Sequence, residues 1–356
     1  MFSGINEILF FSGFLLFIFL MLALDLGVLN KKSHAPSFRE ALTWTSVWVS
    51  ISLVFYLGLM FFGHKLHDIT DLAGIQAKID QFHHPIRIGS LTFEEARQVY
   101  NQNLSLEYIT GYIIEYSLSV DNIFVIIMIF ESFNIKQKYY HRILFWGILG
   151  AIVMRFIFIF VASALIQRFE WVMYIFGGML LIVGIKMGYE FFTKKDEDKI
   201  DPHHHPLVKI ISRFFAVSTV DKGHHFWVKE NGKLFITPLF IVLILVEFMD
   251  VIFAIDSVPA VFSITRDPFI VFFSNIFAIL GLRSLFFLVN NLMGKFHYLK
   301  LGLAFLLSYV GFKMVIQTMM DLHINTKLSL GIIVGILAFF VIISLMFPEK
   351  KKEMAD

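Results

Sequence analysis

Carboxylate side chains lie inside several long apolar stretches of this chain. An ionised carboxylate at the centre of a membrane-spanning helix costs roughly 2.5–3.5 kcal/mol even on the lenient insertion scale. Such groups are therefore expected to face one another, a basic partner or a water-filled cavity, and together to form a path for a metal cation. The acids in these stretches are Asp25, Glu115, Asp121, Glu247, Asp250 and Asp256.

Four basic residues lie in the same stretches: Arg155, Arg283, Lys186 and Lys313. They are predicted to balance the acids as interhelical ion pairs, and the two arginines would keep the site charge-balanced when no metal is bound. Six acids against four bases leave two negative charges. That excess suits one divalent cation, although protonation of two carboxyls would remove it equally well.

Helical periodicity places two acid–polar pairs on common faces. At 100° per residue, positions seven apart lie on one side of a helix, so Glu115 aligns with Asn122 and Asp250 aligns with Ser257. Each of these side chains carries an oxygen atom that can bind a cation. All four are therefore predicted metal ligands.

A further acid lies six residues after the first acid of each pair and points elsewhere on an ideal helix. Asp121 and Asp256 therefore reach the same site only where the helix is locally unwound. Pro259 predicts such unwinding in the later stretch, because proline cannot donate to the Ile255 carbonyl and its ring clashes there. The freed carbonyl oxygen would then lie beside Asp256.

The predicted ligands are carboxylates, an amide, a hydroxyl and a freed carbonyl. This oxygen-rich set suits magnesium, calcium or manganese. Zinc and copper(I) prefer nitrogen and sulfur ligands, and the predicted spans offer neither histidine nor cysteine. Met249, beside Asp250, either adds a soft ligand that favours manganese over calcium or only packs.

The elements that position these residues are predicted to be membrane-spanning helices. Hydrophobic residues make up 57% of the chain, charged residues 16%, and the mean hydropathy is +0.74, whereas about a quarter of a soluble domain is charged. With about 20 apolar residues per span, the sequence predicts an all-α polytopic membrane protein with a single membrane domain. About nine spans are expected, near 5–29, 41–63, 108–132, 142–165, 171–192, 236–263, 269–290, 298–320 and 328–347.

Basic residues predict the orientation of the spans. They concentrate in alternate loops, and basic loops stay on the cytoplasmic side, so the N-terminus is expected outside and the C-terminus in the cytoplasm. Two loops exceed about 15 residues and so require an explanation. The outer loop 64–107 is predicted to hold a short amphipathic helix around Phe93–Tyr100, and the inner loop 193–235 contains histidine tracts.

Two segments, 108–192 and 236–320, share a series of polar landmarks. The acid pairs, Arg155 with Arg283, and the Gly-x-Lys-Met runs at Gly184 and Gly311 correspond at offsets of 135, 128 and 127 residues. Each segment holds three spans, an odd number, so the two copies are predicted to be inverted relative to each other, as in many secondary transporters. Chance similarity between helices rich in Phe, Ile and Leu is the alternative.

Histidines cluster in the polar loops, where solvated side chains are the expected state, as at His83 and His84. A histidine-rich inner loop can also capture transition metals weakly before transport; its histidines are His203, His204, His205, His224 and His225. No metalloprotease, phosphate-binding or dinucleotide motif is present, so neither enzymatic activity nor a permanently bound cofactor is expected. A net charge of +2 gives no electrostatic case for nucleic acid binding.

Three runs carry a resemblance to a known family: Glu115-Tyr-Ser-Leu-Ser-Val-Asp121-Asn122, Phe253-Ala-Ile-Asp256-Ser-Val-Pro259-Ala260 and Ala23-Leu-Asp25-Leu-Gly27. They resemble the TerC/Alx family of integral membrane proteins over nearly the whole chain. The resemblance implies a bacterial inner-membrane protein associated with manganese export. By motif it transfers Asp25, Glu115, Asp121, Asn122, Asp250 and Asp256 as site residues; Glu247 is added on its chemistry alone. The loop 64–107 is longer than the family leads one to expect.

The leading hypothesis is export of Mn²⁺ as the transported substrate, in exchange for protons, by a protein whose partners are that cation and the lipid bilayer. The alternative is a membrane scaffold or metal-delivery partner that does not transport and acts through its long loops. An oxyanion transporter is disfavoured, because clustered carboxylates repel anions. The residues alone do not separate Mn²⁺ from Ca²⁺ or Mg²⁺.

Overall fold

A computed structural model describes residues 11–21, 36–193, 225–230, 233–292, 298–320 and 325–347. Within these ranges the chain is almost entirely helical. The α-helices are α1 (Phe11–Met21), α2 (Phe38–Phe62), α3 (Leu72–Phe82), α4 (Phe93–Ser132), α5 (Tyr140–Arg168), α6 (Val172–Thr193), α7 (Pro238–Phe262), α8 (Pro268–Leu280), α9 (Leu282–Leu292), α10 (Leu299–Met320) and α11 (Thr326–Met346). Short 3₁₀ helices cover Gly63–His67 and Gln137–Tyr139, and two strands, β1 (Trp227–Glu230) and β2 (Lys233–Ile236), precede α7.

Seven of the described helices are long and apolar enough to cross a membrane. The apolar pair α8 and α9 bends by 48° at its break, and it adds an eighth span if the two helices cross the membrane as one. These helices coincide with the spans predicted from residue 41 onward. The first predicted span, 5–29, extends beyond the described residues, and its described part is the short apolar helix α1.

Helix α4 is much longer than the predicted span. Its 40 residues extend for about 60 Å at 1.5 Å per residue, twice the roughly 30 Å of a bilayer core. Residues 93–100 are helical as predicted, but they form the first two turns of α4 and not a short helix of their own. Ile75 and Ile79 of α3 and Tyr100 of α4 are buried in one apolar cluster. The segment 64–92 is therefore folded onto the bundle.

Local sequence signals explain where two of these helices begin. At the start of α4, Thr92 and Glu95 form a reciprocal capping box that satisfies two backbone N–H groups. At the start of α8, the Asp267 carboxylate accepts the backbone N–H of Phe269 at 3.0 Å, and Pro268 occupies the first helical turn. Both caps lie at the same end of the bundle, next to residues 64–92.

Helix α7 is continuous in spite of its proline. Residues 238–262 are helical throughout, so the prediction of local unwinding beside Asp256 is wrong. Pro259 lies in the last turn, and Ser263, which follows the helix, donates its backbone N–H to the Pro259 carbonyl at 3.0 Å.

Helices of the two predicted repeat units pack directly on one another. Helices α4 and α5 each contact both α7 and α8, and α6 pairs closely with α10. Glycines bring the last two backbones together: a methyl group built on Gly184 would lie 2.7 Å from Ser308 N, and one built on Gly311 would lie 2.8 Å from Leu181 N. A side chain at either glycine would force the two helices apart.

A β-hairpin occupies the end of the predicted inner loop. Trp227 pairs with Ile236 in an antiparallel register, which the sequence pattern did not indicate. At its base, the Thr237 hydroxyl donates to the His225 carbonyl oxygen at 2.8 Å. The hairpin thus leads directly into α7, and the His225 side chain is exposed.

Candidate cation site

A buried guanidinium joins four helices at the centre of the candidate site. Arg155, on α5, is 1% exposed. Its Nη1 donates to Glu115 Oε1 on α4, to Ser257 Oγ on α7 at 3.0 Å and to Asn275 Oδ1 on α8 at 2.6 Å. Its Nη2 lies 3.7 Å from Asp250 Oδ1 on α7. These five residues are called the Arg155 cluster below.

Not every polar atom of the cluster is paired. In the described part of the chain, Glu115 Oε2, Asp250 Oδ2 and Arg155 Nε are among the buried atoms without a hydrogen-bond partner. A buried carboxylate oxygen in that state costs about 1–3 kcal/mol or more, because it has lost its water without a replacement. Both oxygens are therefore positioned to accept a proton or a cation.

Asp250 and Ser257, seven residues apart on α7, both face Arg155. Ser257 lies with Glu115 around Arg155, and Asn122 and Asp250 line one small cavity of about 20 Å³. Because α4 and α7 are continuous, the remaining two acids stay off these faces. Asp121 and Asp256 are both half-buried, and Asp256 is close enough to interact electrostatically with Arg155.

The other predicted bases lie elsewhere, so the prediction that they balance these acids is not supported. Lys186 is largely exposed and its Nζ lies 3.8 Å from Glu190. Arg283 donates through Nε to His141 Nδ1 at 3.0 Å. Lys313 donates to the Ser263 carbonyl oxygen at 3.2 Å. Lysine and arginine positions in a sequence do not specify which neighbouring helix they face.

Glu247 is not a member of the Arg155 cluster. Its carboxyl packs against Gly150 of α5, in a lateral groove whose other described lining residues are apolar. It is three residues before Asp250, about 60° away around α7, and close enough to interact electrostatically with that acid.

Three or more His, Asp or Glu side chains placed to hold one metal ion are not found in the described part of the chain. Three of the predicted ligands, Glu115, Asp250 and Ser257, instead gather around the Arg155 guanidinium. The remaining predicted site residues lie outside the described residues: Asp25, His203, His204, His205 and His224.

The family model for integral membrane proteins of the TerC family matches residues 100–352, a segment that contains the whole Arg155 cluster. The chain belongs to the TerC family. It is therefore an integral, multi-pass membrane protein, in agreement with the seven or eight candidate spans among the described residues.

Relatives in this family match nearly end to end. A membrane protein of Myxococcus xanthus is 41% identical over 94% of this chain and 91% of its own length. A protein of Escherichia coli, named as a candidate membrane-bound redox modulator, Alx, is 40% identical over 94% of both chains. Its namesake in Photorhabdus laumondii is 39% identical over 98% of both. No solved structure matches the chain.

A second buried polar network lies where the TerC-family bundle meets the segment 64–92. His67 Nε2 lies 2.8 Å from Asp267 Oδ2, and His84 Nδ1 lies 2.9 Å from Glu107 Oε1. Thr265 donates to Glu107 Oε2 at 2.6 Å. All four members of the two pairs have fully buried side chains. The prediction that His84 is solvated is therefore wrong.

These two pairs tie the outer segment to the turn between α7 and α8. Burial by itself would raise the pKa of Asp267, but the His67 imidazole and the Phe269 backbone N–H stabilise the carboxylate, and the net effect is a lowered pKa. The carboxylate therefore remains charged where an isolated buried acid would be neutral.

Sequence reasoning missed Asn275 and the outer pairs. A single amide within the apolar run of α8 was a usable signal for Asn275, because a buried amide needs a partner. The outer histidines gave no such signal, because they lie in a polar loop whose packing against α4 depends on tertiary contacts.

Proposed function

We propose that this TerC-family protein is a secondary transporter that exports a divalent cation, Mn²⁺, from the cytoplasm in exchange for protons through the Arg155 cluster. The observation that carries the proposal is a buried guanidinium held between carboxylates of two different helices, α4 and α7, with two carboxylate oxygens left unpaired. In a membrane interior such a group is expected to be functional.

Charge balance supports the exchange. Glu115, Asp250 and Asp256 carry three negative charges when ionised, and Arg155 carries one positive charge, which leaves two negative charges. One divalent cation or two protons would neutralise this excess equally. Alternation between the two states requires no ATP, only a proton gradient across the membrane.

Arg155 supplies the countercharge that an exchange site needs. With the carboxylates held by its guanidinium, the site is stable without a cation. Arrival of Mn²⁺ would require Glu115 and Asp250 to turn from Arg155 towards the metal, and Asn275 and Ser257 would retain the guanidinium. The released carboxylate oxygens, together with the Asn122 amide oxygen in the cavity beside Asp250, are ligands suited to a hard divalent ion.

The packing of α6 against α10 supports an inverted repeat. A methyl built on Gly184 would meet Ala304 O at 2.8 Å, and one built on Gly311 would meet Gly177 O at 2.7 Å. Gly177 precedes Ala304 by 127 residues, the same offset that relates the two glycines. A local two-fold axis between the helices would produce this reciprocity.

The polar contacts around Arg155 are also consistent with a two-fold axis between the two repeat units. Glu115 lies with Ser257, and Asp250 lies with Asn122, so each acid meets the polar partner from the other unit. A site at the interface of inverted repeats is the arrangement of many secondary transporters. We extend the proposal to nine spans, with the N-terminus outside and the C-terminus in the cytoplasm of a bacterial inner membrane.

The relatives' name suggests a redox role, which we place downstream of transport. This chain has no cysteine, so it offers no thiol–disulfide chemistry. Export of a redox-active metal would instead alter cellular redox balance indirectly. We further propose that the chain is not an enzyme and acts without a bound cofactor.

The test is Mn²⁺ transport into proteoliposomes with and without an imposed proton gradient. Wild type is expected to transport at a rate set by the gradient, and Asp250→Asn and Asp256→Asn are expected to abolish transport while retaining insertion. Glu190→Gln is the matched control, since it removes an exposed acid from α6. Correctly folded wild type that moves no Mn²⁺ would instead favour a scaffold that acts through loop 193–235.

A further inference from the structure

The carboxyl of Glu247 occupies an unusual position for a charged group. It lies in a lateral groove of about 530 Å³ between α5 and α7. The walls are apolar and open outward: Trp146 is 45% exposed, Val153 53% and Phe248 41%. On a membrane-spanning helix these exposed faces contact lipid, so the groove is open to acyl chains.

Gly150 makes room for this carboxyl. A methyl group built on Gly150 would overlap both carboxyl oxygens of Glu247. The helix α5 therefore presents bare backbone at the one place where the acid enters the groove. The same site is not reproduced in the first predicted repeat unit, where Tyr112 stands 135 residues before Glu247.

The surroundings favour the neutral acid. Glu247 makes no hydrogen bond or ion pair with any residue that the structure describes, and the nearest ionisable neighbour on its helix is another acid, Asp250. An ionised carboxylate at such a place would cost several kcal/mol. A protonated carboxyl removes this cost and keeps the proton about 4.5 Å along the helix axis from Asp250.

We propose that Glu247 is a lipid-accessible, proton-holding carboxyl, and that it is the residue at which lipophilic carbodiimides modify this protein. The proposal deepens the proposed function, because it makes Glu247 a reservoir for an exchanged proton next to the Arg155 cluster. The labelling itself does not depend on transport.

The chemistry of the modification requires the protonated form. The carboxylic acid adds across one C=N bond of the carbodiimide: its oxygen bonds to the central carbon and its proton moves to a nitrogen. Transfer of the acyl group from oxygen to nitrogen then gives a stable N-acylurea. No atom leaves, so the protein gains the mass of one whole carbodiimide.

The experiment treats the full-length protein in detergent with dicyclohexylcarbodiimide at neutral pH, followed by intact-protein and peptide mass spectrometry. Wild type is expected to gain one adduct on the peptide that contains Glu247, and Glu247→Gln is expected to lose nearly all of it. Glu190→Gln should label like wild type. Gly150→Leu, which fills the floor of the groove, should label far less.

A water-soluble carbodiimide provides the decisive comparison. It is expected to leave Glu247 unmodified, because the groove faces lipid. Equal labelling of Glu247 by both reagents, or an adduct retained in Glu247→Gln, would overturn the inference. Labelling at Glu247 with no Mn²⁺ transport by wild type would refute the proposed function and leave the groove assignment intact, whereas transport without labelling would refute the groove assignment alone.

Discussion

Replacement of Arg155 by glutamine tests whether its guanidinium holds the four helices together. The substitution keeps a polar side chain on α5 but removes the positive charge and the donors to Glu115, Ser257 and Asn275. It leaves the Glu115 and Asp250 carboxylates buried without their countercharge.

The magnitude follows from what remains behind. Loss of one partner of a buried ion pair costs about 3–5 kcal/mol, mainly because an uncompensated charge stays buried. We expect Arg155→Gln to lower the free energy of unfolding by that amount. Adding Glu115→Gln should recover much of the loss, since it removes one stranded charge, so the double-mutant cycle should show coupling of about 1–3 kcal/mol.

The assay is equilibrium unfolding in mixed detergent micelles, followed by the fluorescence of the five tryptophans. Arg168→Gln is the matched control, because it makes the same change at the exposed end of α5, and a shift within about 0.5 kcal/mol is expected. If Arg155→Gln unfolds like this control, or if the two substitutions at the cluster are additive within about 0.5 kcal/mol, the ion-pair account is refuted.

Two further predictions concern packing and pH. Gly311→Ala should destabilise the protein by about 1–3 kcal/mol, because its methyl group would lie 2.7 Å from Gly177 O. Gly178→Ala is the control and should leave stability unchanged, because its methyl group would meet nothing within 4 Å. Thermal unfolding of the two variants measures the difference. Because the folded pKa of Asp267 lies below its usual value near 3.9, wild-type stability from this group is present above about pH 4 and is lost as the pH falls further. Asp267→Asn should therefore reduce the fall in melting temperature below about pH 4. If the fall is as steep in the variant as in wild type, another group causes it.

The sequence by itself determined the spans from residue 41 onward and the chemistry of the candidate ligands. Spans are readable because a bilayer demands about 20 consecutive apolar residues, which is a local property of the chain. The shared faces of Glu115 with Asn122 and of Asp250 with Ser257 were equally readable, because helical periodicity is local and both helices remain regular.

Only the tertiary structure decided which charges meet. Arg155 and Lys186 look equivalent as intramembrane bases, yet one is buried among carboxylates and the other is exposed. Glu247 and Asp250 are three residues apart, yet one faces lipid and the other faces Arg155. These outcomes depend on the rotation of each helix about its axis and on the glycines that let backbones approach. A hydropathy pattern locates a helix in the membrane, but the neighbours that each face touches are set by packing between segments distant in the chain.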